Sequence, residues 1–479
     1  MSESSGRTPL SWAAGEGHAT TVMVLLGREG VDANKVDRGG GTPLSWAAGK
    51  GRDEVVKLLL GQEGVNPNTV DTDDRTPLLW AARGGHNGVV MLLLGREGVD
   101  SNTSDTDGRT PLSWAAEEGY DEVAKLLLGQ EGADPNTVDT DGRTPLLWAA
   151  RGGHDGAVML LLGQEGVDAS KADTDNRTPF SWAAGKGRGE VVKLLLEQEG
   201  VDPNKIDRDG RTALLWATRG GHDGVVKLLL ICQNVNPNVT DNVGRTALSW
   251  AAGNRDDRVV KLLLEREDID PNIPDLYGRT PLAIAARRGI ERVVKLLLRC
   301  GNVNPNKLDL ADQTPLLWAA LGGHHWTVQV LLECEAVDPN MRDNSGATPL
   351  WWAAQRGHHE VVELLLGRGG VNPDLVNHSE DTPLLRAAKF GFHRVVELLL
   401  RCQNVDPNMT DRFGRTPISC AVTSGNDKVV QLLLGLEAVD SNIADYGGRT
   451  PLWWASSCVG NKRAVNLLQA RQSANPYLV

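Results

Sequence analysis

Apolar residues fall along this chain in two short blocks that recur every 34 positions, with Gly, Pro, Asn and Asp at fixed places between them. The Thr that opens each unit stands at 8, 42, 76, 110, 144, 178, 212, 246, 280, 314, 348, 382, 416 and 450, with no insertion or deletion. The stretch GRTPLSWAAEEGYDEVAKLLLGQEGADPNTVDTD is typical. Thr followed by Pro suits a helix N-cap and first turn, because the hydroxyl accepts an orphan backbone N–H and Pro lacks a donor that the helix cannot use there. A Gly nine residues after the Thr in twelve units, such as Gly17, Gly51 and Gly85, predicts the end of that helix in a left-handed residue. Blocks such as Glu54-Val-Val-Lys-Leu-Leu-Leu60 predict a second helix, mostly buried, with Lys57 facing outward. The VDPN segment and the Asp-x-Asp-Gly that follows it predict a loop and a hairpin-like tip.

Neither short helix can bury its apolar face alone, so stacking of neighbours must supply the core. The expected fold is therefore an all-α solenoid of about fourteen helix–turn–helix–hairpin units, a single array over 1–479. Arg463 and Asn466 in the last unit, and Thr21 in the first, put polar groups where other units have apolar ones, as end caps require. Repeats 2–8 are uniform, whereas repeats 9–14 are diversified.

The blocks TPLSWAA and TPLLWAA, the Gly-His pair beyond them, EVVKLLL and VDPN together resemble the ankyrin repeat. Two features depart from that pattern: Ser11, Ser45, Leu79 or Ser113 stands where the family has His, and each loop is one residue longer. A third departure is Trp four residues after the Thr in eleven units, where the family usually has Leu: Trp12, 46, 80, 114, 148, 182, 216, 250, 318, 352 and 454. These indoles are expected to form a buried ladder, each N–H reaching a loop acceptor; a ring-lined groove is the alternative. Ile284, Arg386 and Cys420 interrupt the series, and Arg255 and Val459 replace the helix-ending Gly. An alternation of Ser and Leu after the TPL block, from Ser45 to Ser249, makes a 68-residue pair the true unit in that stretch. Tandem pairs of this kind are similar to ankyrin arrays of filamentous fungi, including the sensor ends of NACHT-type signalling proteins.

A formal charge of −12 disfavours nucleic acid as a partner. No apolar run approaches a membrane span and the N-terminus has no signal-like block, so the chain is expected to be cytoplasmic, or nuclear, without membrane association. On the same ground Asn102, Asn176, Asn238 and Asn408, although in glycosylation sequons, are expected to be unmodified. Cys232, Cys300, Cys334 and Cys402 share one phase of the repeat. Helices stacked roughly 9–10 Å apart hold such thiols beyond the roughly 7 Å that a disulfide spans, so free thiols are expected. His18, His86, His154, His222, His324 and His358 share the inter-helix turn, where a structural role is expected; only the doublets His324-His325 and His358-His359 invite a metal reading. Asp105-Thr-Asp107-Gly108 has the start of a calcium loop without its full ligand set, and Gly49-Lys50 and Gly185-Lys186 lack the rest of a phosphate loop. No metal, cofactor or catalytic site is expected.

The resemblance implies a non-catalytic scaffold or adaptor, monomeric, that binds other proteins on a concave face of hairpins and first helices. The alternative is the recognition array of a larger NACHT-type protein whose nucleotide domain is absent here. In repeats 2–8 the tips are rich in Asp beside a recurrent Arg, as in Asp71, Asp73 and Arg75, which is expected to be a solvated rim. From repeat 9 onward, the same phases gain apolar bulk. Leu276, Tyr277, Leu310, Phe413 and Tyr446 lie at tips, Trp351 and Trp453 after the TPL block, and Phe390 at the end of a first helix. These eight are the candidate partner-binding residues.

Overall fold

A computed structural model of the chain describes residues 6–457 and 461–474. It divides into two compact units, Met1–Asn242 and Val243–Val479. Among the described residues each unit contains seven helix pairs and no strand, from Pro9–Glu16 to Asp223–Ile231 in the first and from Ala247–Asn254 to Lys462–Ala474 in the second. The all-helical repeat architecture expected from the sequence is therefore the observed one. Within each unit, first helices pack on first helices of neighbouring repeats, second helices on second helices, and the two helices of each repeat on one another.

The fourth repeat shows why the sequence folds this way. Thr110 caps the helix Pro111–Glu118 by accepting the N–H of Ser113, and Pro111 takes the first turn. The Ser that stands in place of the family's His also meets the cap, its hydroxyl lying 3.0–3.3 Å from that of Thr8, Thr110, Thr246 or Thr416 in four repeats. Gly119 closes the helix in the left-handed region at φ 76°. The second helix, Asp121–Leu128, buries Val123, Ala124 and Leu127 and leaves Lys125 outside. In the second repeat Val55, Val56, Leu59 and Leu60 are buried in the same way while Lys57 is exposed.

At the tips, backbone hydrogen bonds join successive repeats: Thr106 donates to the Asp73 carbonyl at 3.0 Å, Thr140 to Asp107 at 2.9 Å and Thr174 to Asp141 at 2.8 Å. The second unit does the same, Leu310 donating to Tyr277 and Tyr446 to Phe413, each at 3.0 Å. This close approach demands Gly at the turn, since a Cβ on Gly40 (φ 76°) would stand 2.8 Å from the Asp71 Cα. The loops on the opposite side are joined by asparagines. Asn68 and Asn136 donate Nδ2 to the carbonyl thirty residues on, while Oδ1 of Asn34, Asn102 or Asn306 accepts the N–H thirty-two residues on.

The expected end-cap residues Thr21, Arg463 and Asn466 are all exposed. Arg255 occupies the left-handed position expected of a Gly, at φ 64°. Val459 lies outside the described residues.

The tryptophans require a correction. Only Trp148, 4% exposed, is in the core; Trp12 is exposed at 38% and the other nine of this phase are half-buried. Neighbouring first helices approach too closely for an indole between them: the Ala pairs that follow nine of the eleven Trp are almost wholly buried, and a Cβ on Gly15 would lie 3.7 Å from the Trp46 Cβ. The core is accordingly built of Leu, Val and Ala, and the indoles stand along its edge beneath the tips.

Candidate functional site

Most tips are organised by one aspartate. Asp139 accepts the N–H groups of Asp141 and Arg143 on Oδ1, at 2.9 and 2.8 Å, and the indole N–H of Trp148 on Oδ2 at 3.0 Å. The same indole bond joins Trp46 to Asp37, Trp80 to Asp71, Trp114 to Asp105, Trp182 to Asp173 and Trp216 to Asp207, at 2.8–3.0 Å. In the second unit it joins Trp318 to Asp309, Trp352 to Asp343 and Trp454 to Asp445. The constant interval of nine residues between Asp and Trp was the sequence signal for this pairing. The Asp-rich tips are thus only partly the solvated rim expected of them. Asp105, Asp139 and Asp173 are buried, while Asp73, Asp141 and Asp209 are exposed and paired with Arg75, Arg143 and Arg211. Asp105 in particular serves a turn, satisfied by Trp114 and by two backbone N–H groups.

Where Trp is missing, arginine alone holds the outer oxygen of the aspartate, a pairing that Arg75 and Arg449 make beside the indoles of Trp80 and Trp454. In repeat 9, which has Ile284, Arg279 takes Oδ2 of Asp275 at 2.6 Å; in repeat 13, which has Cys420, Arg415 takes Oδ2 of Asp411 at 2.7 Å. In repeat 12 the tip residue is the neutral Asn377, which still accepts two backbone N–H bonds, and Arg386 pairs instead with Asp381 at 2.8 Å. Burial raises the Asp381 carboxyl above its ordinary range and outweighs the nearby Arg386 charge. Burial would also raise Asp445, but the N–H groups of Arg449 and Gly447 and the Trp454 indole hold it below the usual carboxylate value. The Cys420 thiol, buried in the same layer, is pushed up to about 11.

Arginines interleave with the indoles in five of the six gaps between successive tryptophans of the first unit. Arg7 lies over both Trp12 and Trp46, at 4.6 and 3.0 Å; Arg83 over Trp80 and Trp114, at 5.6 and 4.4 Å; and Arg109 over Trp114 and Trp148, at 3.5 and 4.2 Å. Arg151 lies over Trp148 and Trp182, at 4.9 and 5.3 Å, and Arg177 over Trp182 and Trp216, at 5.2 and 5.0 Å. Glu117 neutralises part of this charge by pairing with both Arg109 and Arg151. Cation–π contact of this kind contributes roughly 0.5–2 kcal/mol per pair.

Seven of the eight residues singled out in repeats 9–14 are exposed. They are Leu276 (64%), Tyr277, Leu310 (78%), Phe390, Phe413, Tyr446 (78%) and Trp453. Trp351 is not, and its place among them is corrected: it is 3% exposed, its indole donates to the Asp381 carbonyl at 2.9 Å, and Arg386 covers its ring. Some of the exposed rings also contact the fold, with Arg279 against Tyr277, and Arg412 and Arg415 against Phe413. The tips of repeats 9 and 10 carry one cluster, Leu276, Tyr277 and Leu310, and those of repeats 13 and 14 carry another, Phe413 and Tyr446.

The turn histidines tie one repeat to the one before it. His154 Nε2 lies 2.7 Å from the Glu117 carbonyl and His222 Nε2 3.1 Å from that of Gly185, with His86, His324 and His358 placed alike. Of the two doublets, His325 faces Glu360 at 3.4 Å and His359 faces Arg394 at 3.4 Å. Among the described residues no three His, Cys, Asp or Glu side chains converge as a metal site would require, and no helix is long and apolar enough to cross a membrane. Among the described residues Cys300, Cys334, Cys402 and Cys420 are in no disulfide.

A search of curated proteins finds no match to this chain. A family model described as ankyrin repeats (3 copies) matches nine overlapping segments, residues 1–71, 59–139, 131–207, 185–275, 214–309, 248–343, 282–377, 316–411 and 384–477. With that coverage and the capped helix pairs joined at their tips, the chain belongs to the ankyrin-repeat family.

Proposed function

We propose that this chain is a non-catalytic scaffold that holds partner proteins on its hairpin tips and the adjoining sides of its first helices. Ankyrin repeats are in general protein–protein interaction modules, and the specific reading here rests on one observation. At the tip phases where repeats 3–6 carry Thr and Asp, repeats 9, 10, 13 and 14 carry Leu276, Tyr277, Leu310, Phe413 and Tyr446, all with much of their apolar surface in water. Rings and aliphatic groups held there by backbone-bonded turns supply contact area at little entropic cost, as interface hot spots require. The uniform Arg–Trp face of the first unit supports the same reading with polar and cation–π contacts.

The test is affinity capture with the full chain and with a variant carrying Tyr277→Ala, Phe413→Ala and Tyr446→Ala. Loss of the captured proteins from the variant, with its helical circular dichroism retained, is the expected result. Full retention of every partner by the variant would overturn the assignment of those tips.

A further inference from the structure

We infer that the slot between Trp46 and Trp80 is a receptor for a partner's arginine side chain. The chain itself supplies the template. Of the six gaps between successive tryptophans in the first unit, five hold one of the chain's own guanidinium groups against both rings: Arg7, Arg83, Arg109, Arg151 and Arg177. These arginines come from only two phases of the repeat. Arg7, Arg109 and Arg177 immediately precede the Thr cap, and Arg83 and Arg151 lie seven residues after it. In the second repeat both phases are glycine, Gly41 and Gly49.

The gap this leaves, between Trp46 and Trp80 with Gly41 and Gly49 beside it, is part of an open groove of about 600 Å³ that is lined also by Trp12 and Arg7 of the filled gap before it, by Arg38, Lys50 and Arg75, and by Asp37 and Asp71. Among the described residues no arginine lies over both rings. Arg75 rests on Trp80 alone, at 4.3 Å, and is held aside by ion pairs with Asp71 and Asp73. The carboxylate edge of a filled gap is present as well. Arg7 and Arg177 each bring Nε within 3.9 Å of the tip aspartate of the following repeat, Asp37 and Asp207 respectively, and Asp71 is that residue for this slot. A second guanidinium beside Arg75 is compatible with the fold, because Arg109, Arg143 and Arg151 all lie within 5.1 Å of the Trp148 ring. Neither glycine carries a side chain into the gap: a Cβ on Gly49 would already be in ordinary contact with Trp80, 3.5 Å from its Cβ, and one on Gly41 would stand 2.8 Å from Trp46 Nε1.

The inference rests on the reading of this chain as protein-binding, but it concerns a different surface from the apolar tips of repeats 9–14. Its test uses the full chain labelled with 15N at the indoles, with the Trp46 and Trp80 resonances assigned through Trp→Phe variants. The probes are four capped tripeptides, Gly-X-Gly, with X being arginine, lysine, tyrosine or citrulline, the neutral isostere of arginine. The arginine peptide should shift the Trp46 and Trp80 signals and no other indole, and bind about tenfold more tightly than the citrulline peptide. Gly49→Arg should abolish that response by filling the slot from within. Gly185→Arg, which adds an arginine to a gap already holding Arg177, should leave it unchanged. Equal binding of arginine and citrulline, preference for the tyrosine peptide, silence of both indoles with the wild-type chain, or an undiminished response in a folded Gly49→Arg protein would each overturn it. Since the probes are defined peptides read at two named rings, this outcome is independent of whether the tip variant loses its captured partners.

Discussion

The indole N–H of Trp148 donates to Oδ2 of Asp139 at 3.0 Å while Oδ1 of the same carboxylate holds two backbone N–H groups of the tip. One buried side chain therefore fixes the turn to the first helix nine residues later. Removing it strands three donors. Asp139→Ala should destabilise the first unit by about 1.5–3 kcal/mol, the range for hydrogen bonds to a charged group. Asp139→Asn keeps the Oδ1 acceptor and should cost less, with most of the loss absent once Trp148 is Phe. A double-mutant cycle in urea measures that coupling, and additive effects would show that the two side chains act separately.

Arg255 carries a cost that its neighbours avoid. It adopts φ 64° at a helix end where twelve other repeats place glycine, and its side chain is exposed, so little packing depends on it. Left-handed backbone costs an L residue roughly 1–2 kcal/mol, part of which glycine returns through its more flexible unfolded chain. Arg255→Gly should raise the stability of the second unit by about 1 kcal/mol, whereas Arg255→Ala should not. Equal thermal midpoints for wild type and Arg255→Gly would refute the strain assignment.

The contrast between Gly119 and Trp114 shows what is legible in the sequence. Helix starts, helix ends and the buried second helix follow from local chemistry: a Thr-Pro cap, a left-handed glycine and an apolar face are each readable within a few residues. Whether an indole lies inside the core or along its edge depends on how closely first helices approach, a distance set between repeats. The Trp ladder was accordingly placed too deep. Trp351 was misplaced for the same reason, because its cover comes from Asp381 and Arg386 of the next repeat. The Asp-to-Trp bond was half legible, as a loop acceptor was expected but not its identity. The vacant slot became visible only after the structure showed that two separate phases of the repeat feed the same gap.

Asp374 breaks the asparagine series on the loop side. It accepts the Asp406 N–H on Oδ2 at 2.9 Å, as an asparagine would on Oδ1, but its other oxygen is buried without a hydrogen-bond partner. Elsewhere an amide fills that place, as Asn340 does in donating to Gly370 at 2.7 Å. Burial, with the Asp406 charge adding to it, raises the Asp374 carboxyl above its ordinary value despite the hydrogen bond from Asp406. Asp374→Asn should restore one bond, worth about 1 kcal/mol at neutral pH. The sign with pH follows from the raised folded value: the ionised carboxyl penalises the native state above that value, and protonation relieves the penalty as pH falls through it. The advantage of the Asn variant should therefore shrink on acidification; an advantage that grew in acid would contradict this account.

His358 gives a pH dependence of the opposite kind. Its Nε2 lies 3.3 Å from the Leu321 carbonyl, bridging repeats 10 and 11. Burial pushes the imidazole below its ordinary value, and the charges of Arg356, His324 and His359 act in the same direction, while the carbonyl partly opposes them. For a base depressed in this way, the native state gains while the ring is neutral in both folded and unfolded chains, and that gain is lost as pH falls through the folded value. The docking of repeat 11 on repeat 10 should weaken between neutral and mildly acid pH, seen as faster hydrogen exchange of the helices Pro315–Leu321 and His359–Gly367 after correction for the intrinsic rate. His358→Gln retains an N–H donor without a charge that titrates, so it should flatten this dependence. If the Gln variant loosens in acid as much as the wild type does, the sensitivity lies in another group.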